Sequence, residues 1–196
     1  MRNQNHTMQE CNNKPTLVIV AGPNGSGKTT ITEKLLKHEW TDDTVYINPD
    51  LIAKEKFGSW DSYESVIKAA EYSKELRYQL IEKRKNIAFE TVFSTQEKID
   101  YIIHAKNNGY FIRFFFVCVD DPTINAQRVA LRVMEGGHDV PISKIIKRYY
   151  KSIENCLQII NIANRAYFYD NTINEQNPKL MFRTTDGVLT KKYLKI

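Results

Sequence analysis

Apolar runs of strand length alternate along this chain with longer stretches in which apolar residues recur every three or four positions. That alternation is the pattern of a mainly parallel sheet flanked by helices. TLVIVA (16–21) is apolar throughout, as a strand buried on both faces must be. A helix is predicted over 28–38, and a second strand at TVYI (44–47) runs into Asn48-Pro49-Asp50, where Pro49 suits the entry of a short helix through LIAKEKF. Residues 61–85 read as a long amphipathic helix whose apolar positions are Tyr63, Val66, Ile67, Ala70, Ser73, Leu80 and Ile81. NIAFETVF (86–93) is a strand, 95–108 a helix closed by Gly109, and YFIRFFFVCV (110–119) the most strand-like segment of all.

Pro122 opens a helix that stops at Gly136-Gly137, and another follows Pro141. Over 142–163, Ile142, Ile145, Ile146, Tyr149, Ile153, Cys156, Leu157, Ile160 and Ala163 form one apolar stripe, the mark of a core-facing helix. RAYFYD (165–170) is the last parallel strand, and 179–194 a C-terminal hairpin or add-on turning at Asp186-Gly187. The expected fold is a three-layer α/β/α fold with a mainly parallel sheet, each strand arriving with its crossover helix.

Length and composition narrow this picture. A chain of 196 residues suits one catalytic unit, expected over 15–196 behind a flexible polar tail, 1–14. With 42% hydrophobic and 26% charged residues, neither wholesale disorder nor a membrane protein is indicated. The longest apolar stretch, Phe114–Val119, is far short of the roughly 20 residues a spanning helix needs. The N-terminus lacks the apolar core of a secretory signal, so a cytoplasmic protein is expected. Cys11, Cys118 and Cys156 are too scattered for a disulfide framework or a zinc site. The net charge of +5 suits a polyphosphate pocket; nucleic acid is disfavoured because basic residues are mixed with acidic ones, as in KELRYQLIEKRK (74–85).

The chemistry begins at Gly22-Pro23-Asn24-Gly25-Ser26-Gly27-Lys28-Thr29, which matches G-x-x-x-x-G-K-[ST] directly after a strand and before a helix. Glycines let the backbone wrap a phosphate with its N–H groups inward. Lys28 brings charge to the outer phosphates, the Thr29 hydroxyl is the expected Mg²⁺ ligand, and Thr30 lies in the first turn of the helix whose dipole completes the anion site, so the α/β/α fold is expected to be that of a P-loop NTPase. ATP or GTP binding follows, but the loop alone does not separate a switch, a motor and a small kinase. No guanine-reading N-K-x-D is present, and the length favours the small kinase.

Such an enzyme needs a carboxylate beside the acceptor hydroxyl, and Asp50 stands at the end of the second strand where that base belongs; its alternative role is a helix cap. Glu90, a charge inside an apolar strand, is expected at the sheet's carboxyl end, for acceptor binding or outer-shell Mg²⁺ contact, with a buried ion pair as the alternative. Thr91, Ser94 and Thr95 add hydrogen-bonding capacity. Arg128 and Arg132, four apart on one helix, suit a lid that braces the transferring phosphoryl group, unless they form a solvated basic face. His138 is expected to be a hydrogen-bonding residue of that lid.

Together GPNGSGKTT, INPDLIA, AFETVFS, AKNNGY, QRVALRV, GGHDVP, KRYY and YFYDN make the chain resemble the zeta-toxin family of P-loop kinases over about residues 16–171. The resemblance implies ATP-dependent phosphorylation of a sugar hydroxyl on UDP-N-acetylglucosamine or a related nucleotide sugar. It places phosphate binding on Lys28, the base on Asp50, acceptor contact on Glu90, the phosphoryl-bracing arginines on Arg128 and Arg132, and the border of the nucleotide on Asp170-Asn171. It also implies a small helical antitoxin as partner. The rival readings are a kinase of another hydroxyl, including a polynucleotide end, and an interaction module that ATP merely switches.

Overall fold

The computed structural model describes residues 14–38, 41, 43–58, 62–137 and 139–194. The elements run β1 (Thr16–Ala21), α1 (Lys28–Leu35), β2 (Thr44–Ile47), α2 (Pro49–Phe57), α3 (Tyr63–Glu82), β3 (Asn86–Thr91), α4 (Gln96–Asn107), β4 (Phe111–Cys118), α5 (Pro122–Met134), α6 (Ile142–Ile159), β5 (Arg165–Asp170), β6 (Lys179–Thr185) and β7 (Val188–Lys192). They build one sheet in the order β2-β3-β1-β4-β5-β6-β7. Pairing is parallel from β2 through β5 and antiparallel across β5-β6 and β6-β7. The mainly parallel α/β fold expected from the apolar pattern is the one observed. The N-terminal tail, Cys11 and His138 lie outside the described residues.

Both faces of the sheet are covered, which explains why β1 is apolar and buried from Leu17 to Ala21. On one face Leu17, Ile19, Phe89, Ile112 and Phe114 pack with Leu80 and Ile81 of α3, Ile99 and Ile102 of α4, and Ile159 of α6. On the other, Val18, Val20, Phe115 and Val117 pack with Ile31 of α1. After β1 the chain crosses to the β2 edge, whereas β3 leads across β1 to β4. The strand order therefore reverses at β1, and ligands of open α/β sheets bind in the crevice at the carboxyl ends of the strands flanking such a point.

Two helix faces depart from expectation. In α3 the buried positions are Ser65, Ala69, Ser73, Arg77, Leu80 and Ile81, while Tyr63 is 82% exposed and Ile67 39% exposed. The small residues at i, i+4 and i+8 let α2 approach closely: Ser65 Oγ donates to Phe57 O at 3.1 Å, and Phe57 meets Tyr72 edge-on. Arg77 then occupies a buried position because Glu97 accepts from its guanidinium at 3.2 Å and the aromatic faces of Phe89 and Tyr101 lie beneath it. In α6, Ser152 and Asn155 are buried whereas Ile142 and Leu157 are exposed, and the helix ends at Ile159 rather than 163. The hairpin turn falls at Asp186-Gly187, both with positive φ (45° and 81°) as a type I′ turn requires. This hairpin continues the main sheet past β5.

Candidate active site

The P-loop leaves β1 at Gly22, whose amide donates to Thr91 O at 3.2 Å, tying it to the end of β3. A Cβ at Gly22 would collide with the backbone carbonyl of Val117 on β4. Gly25 and Gly27 have φ of 74° and 89°, and a Cβ on Gly25 would come within 2.8 Å of Asn125 O. The glycines are thus required by close backbone approach and by left-handed φ.

Neighbouring elements hold this loop from outside. Asn125 of α5 donates to Asn24 O at 2.5 Å, and Asn171 after β5 donates to Ser26 O at 2.8 Å from directly above Gly27. Arg128 is a brace. Its guanidinium donates to Gly25 O (3.4 Å), Asn171 O (2.8 Å) and Thr172 O (3.3 Å), and twice to Asn174 Oδ1 (2.9 and 2.7 Å). It ties the P-loop to the 171–174 segment and is not among the residues lining the cleft.

That cleft, about 420 Å³, brings together Lys28, Thr29, Asp50, Glu90, Thr91 and Arg132 at the carboxyl ends of β1, β2 and β3. Ser94 and Thr95 are not part of it. Asp50 does not cap α2: Asn48 does, accepting from the Asp50 amide at 2.9 Å. The Asp50 carboxylate is therefore left exposed at the cleft wall, with no structural bond to forfeit.

Glu90 is held by hydroxyls, Thr29 Oγ1 donating to Oε2 at 3.3 Å and Tyr46 OH to Oε1 at 3.1 Å. This half-buried arrangement replaces the buried ion pair considered from sequence. Burial, and then the Glu90 carboxylate, push the Tyr46 phenol well above its ordinary range, so it stays protonated and able to donate. Thr91 Oγ1 accepts from the Phe93 amide at 3.0 Å, which holds Phe93 at φ 62°; Asn155 of α6 donates to Phe93 O at 3.0 Å.

Two turns earlier on α6, Arg148 donates to Asn24 Oδ1 at 3.4 Å. One helix thus touches both the P-loop and the segment that follows β3. Arg148 and Tyr46 were missed from sequence, although Arg148 is a cation set three residues after buried Ile145 and four before buried Ser152. Tyr46 lies two residues before Asn48 on a strand, the spacing that puts both on one face.

Burial pushes the Lys28 ammonium down to about 8; Glu90 opposes that shift, and Arg132 and Arg148 reinforce it. In the free protein Lys28 thus loses its proton as pH rises through that value, whereas bound polyphosphate favours the charged form. ATP affinity should fall between about pH 8 and pH 10, and binding near pH 8.5 should take up protons. Calorimetry in two buffers of different ionisation enthalpy reads that uptake directly, and Lys28→Met should abolish it.

The residues present fit a nucleotide. The loop's left-handed glycines let its backbone curl while neighbouring elements pack against its outer side, and Ser26 Oγ is buried within it without a hydrogen-bond partner. A crevice at the sheet reversal, a glycine cradle, a lysine and converging carboxylates define a P-loop kinase. The zeta toxin family profile matches residues 2–177, and the chain belongs to that family.

Among solved structures, a chain of the PezAT chromosomal toxin–antitoxin system of Streptococcus pneumoniae is similar at 19% identity and TM-score 0.59, over 85% of this chain and 77% of that one. The AvrRxo1-ORF1:-ORF2 complex with ATP is similar at 17% identity and TM-score 0.68, over 94% of this chain and 63% of that one, so this chain spans less than two thirds of its length. The Pnkp1/Rnl/Hen1 RNA repair complex is similar at 22% identity and TM-score 0.57, over 74% and 46%. At these identities the likeness is one of fold. No curated protein matches the sequence. Among the described residues no helix is long and apolar enough to cross a membrane.

Proposed function

We propose that this kinase transfers the γ-phosphoryl group of ATP to a hydroxyl of a nucleotide sugar, UDP-N-acetylglucosamine first among candidates, with Asp50 as the base. The observation that carries this reading is the Asp50 carboxylate, released from capping by Asn48 and facing one cleft with Lys28, Glu90 and Arg132. The family supports the sugar-nucleotide acceptor. In the transfer, the acceptor oxygen bonds to the γ-phosphorus as the bond from that phosphorus to the β–γ bridging oxygen breaks. ADP leaves, and the acceptor proton passes to Asp50.

Lys28 and Arg132 offset charge on the transferring group, and Arg148, bonded to Asn24 of the P-loop, adds positive potential beside Lys28. Arg128 acts one step back, by holding the P-loop. Mg²⁺, an oxygen-seeking cation, would neutralise β- and γ-phosphate charge when bound. Thr29 Oγ1 would hold it through a lone pair while its hydroxyl still donates to Glu90, which favours the outer-shell role for Glu90 over direct acceptor binding. The kinase unit is taken as 15–196, acting in the cytoplasm and restrained by a small helical antitoxin.

Incubation with labelled ATP, UDP-sugars, nucleosides and 5′-hydroxyl oligonucleotides tests the acceptor. Label should appear in UDP-N-acetylglucosamine or a close UDP-sugar; label confined to an oligonucleotide would overturn the choice.

A further inference from the structure

On the face of the sheet that carries α1, the buried core ends at Phe115 and Val117 of β4, and Tyr167 and Tyr169 of β5 pack against it half-exposed. Register decides what this face presents from there to the β7 edge. Arg113 lies beside Arg165, and Tyr167 lies between Phe115 and Arg183, which in turn lies beside Lys191. Residues in register, and those two apart on one strand, share a face, so four cations are gathered on this one. The strands β4–β7 contain a single carboxylate, Asp170, and it alternates onto the opposite face with Ala166 and Phe168. The mixing of acidic with basic residues that disfavours nucleic acid holds for helices such as 74–85, but not for these strands.

Two features say what would lie here. Arg113–Arg165 and Arg183–Lys191 are like charges on neighbouring strands, pairs that cost stability until an anion lies across them. Rings are interleaved with these cations: the Arg113 and Arg165 guanidiniums lie 5.0 and 5.9 Å from the Phe111 ring centre, and the Lys191 ammonium 4.7 Å from that of Tyr193, which is 40% exposed. A polymer that alternates an anion with a planar ring answers both. A duplex would offer its phosphates but not its paired bases, and residues 1–13 hold one acid, Glu10, too little charge to serve. None of these side chains lines the nucleotide cleft.

We propose that this face binds a single strand of nucleic acid, its phosphates on Arg113, Arg165, Arg183 and Lys191 and its bases against Tyr167, Tyr169 and Tyr193. Open four-stranded sheets with aromatic side chains hold about two or three bases in this way. The site is separate from the phosphotransfer cleft and does not rest on the choice of acceptor.

Fluorescence anisotropy of a labelled twelve-nucleotide oligothymidylate, titrated with the full chain, tests the proposal; melting temperature and binding of a non-hydrolysable ATP analogue check that each variant is folded. The dissociation constant should be on the order of 10 µM at low salt, and affinity should fall about 30-fold between about 50 and 200 mM salt, as release from three or four phosphates requires. Oligouridylate should bind alike, and a duplex of the same length at least about tenfold more weakly. Arg183→Glu with Lys191→Glu should weaken binding by more than about tenfold and flatten the salt dependence. Tyr193→Ala should weaken it about tenfold, the loss of one stacked base, and leave the salt dependence unchanged. Absence of binding up to about 100 µM would overturn the proposal, as would equal affinity for the duplex or indifference to the charge reversals. So would displacement of the oligonucleotide by the ATP analogue, which would place it in the cleft. Binding to vesicles of phosphatidylserine but to no oligonucleotide, or a dimer that the charge reversals abolish and the oligonucleotide does not disturb, would give the face to another occupant and also sink the idea.

Discussion

Replacing Asp50 by asparagine should lower phosphoryl transfer by about 100-fold or more, the usual scale for a general base, with ATP affinity changed by less than about twofold. Asparagine keeps the shape and most of the hydrogen-bonding capacity of the residue but cannot accept the acceptor's proton at neutral pH. The fold should not notice the change, because Asn48 caps α2 and the Asp50 side chain is exposed. Melting temperature and ATP titration therefore serve as internal controls, and single-turnover transfer is the readout. Unchanged turnover in Asp50→Asn would remove Asp50 from the mechanism. An equal loss of transfer and ATP affinity would point to a binding role.

Gly27→Ala should damage the P-loop through backbone strain and a side-chain collision at once. Its backbone sits at φ 89°, where an L-residue is strained by about 1–2 kcal/mol. The added carbon would also strike Asn171 Nδ2, which donates to Ser26 O. Relief requires the Asn171 side-chain amide to swing away and give up its bond to Ser26 O. Strain and clash together should weaken ATP binding by about 100-fold, since each 1.4 kcal/mol is a factor of ten. Asn171→Ala in the same chain should restore the part due to collision and leave the part due to backbone strain. Titration of the two variants with an ATP analogue separates the contributions; full affinity in Gly27→Ala would contradict the close packing described.

Much of this was legible in the sequence because it depends on local pattern. β1, the P-loop and α1 follow from an unbroken apolar run, a glycine spacing and a lysine, and the I′ turn from Asp-Gly. Faces set by packing between helices were not legible. Of the inner stripe of α3 the spacing picked out Ser73 but not Ser65 or Ala69, which hydrophobicity alone does not choose; closeness to α2 does. Arg77 was invisible as a buried residue because its partner Glu97 comes from a different helix.

In the candidate site, Lys28, Thr29, Asp50, Glu90, Thr91 and Arg132 do converge, all but Arg132 at a strand end or helix start that the pattern marks, and Arg132 in the last turn of α5. The arginine pair separated: Arg132 lines the cleft while Arg128, one turn earlier, turns to carbonyls of the 171–174 segment. Spacing of four puts two side chains on one face but does not say what they meet. Arg148 and Tyr46 were hidden because long-range contacts, to Asn24 and Glu90, give them their role.

The central claim is that Asp50, rather than Glu90, receives the acceptor's proton. The most direct measurement is a crystal structure with a non-hydrolysable ATP analogue, Mg²⁺ and UDP-N-acetylglucosamine. It should place a sugar hydroxyl within about 2.6–3.2 Å of the Asp50 carboxylate, on the γ-phosphate side, with Thr29 still donating to Glu90. A sugar hydroxyl bound to Glu90 while Asp50 faces solvent would contradict the account.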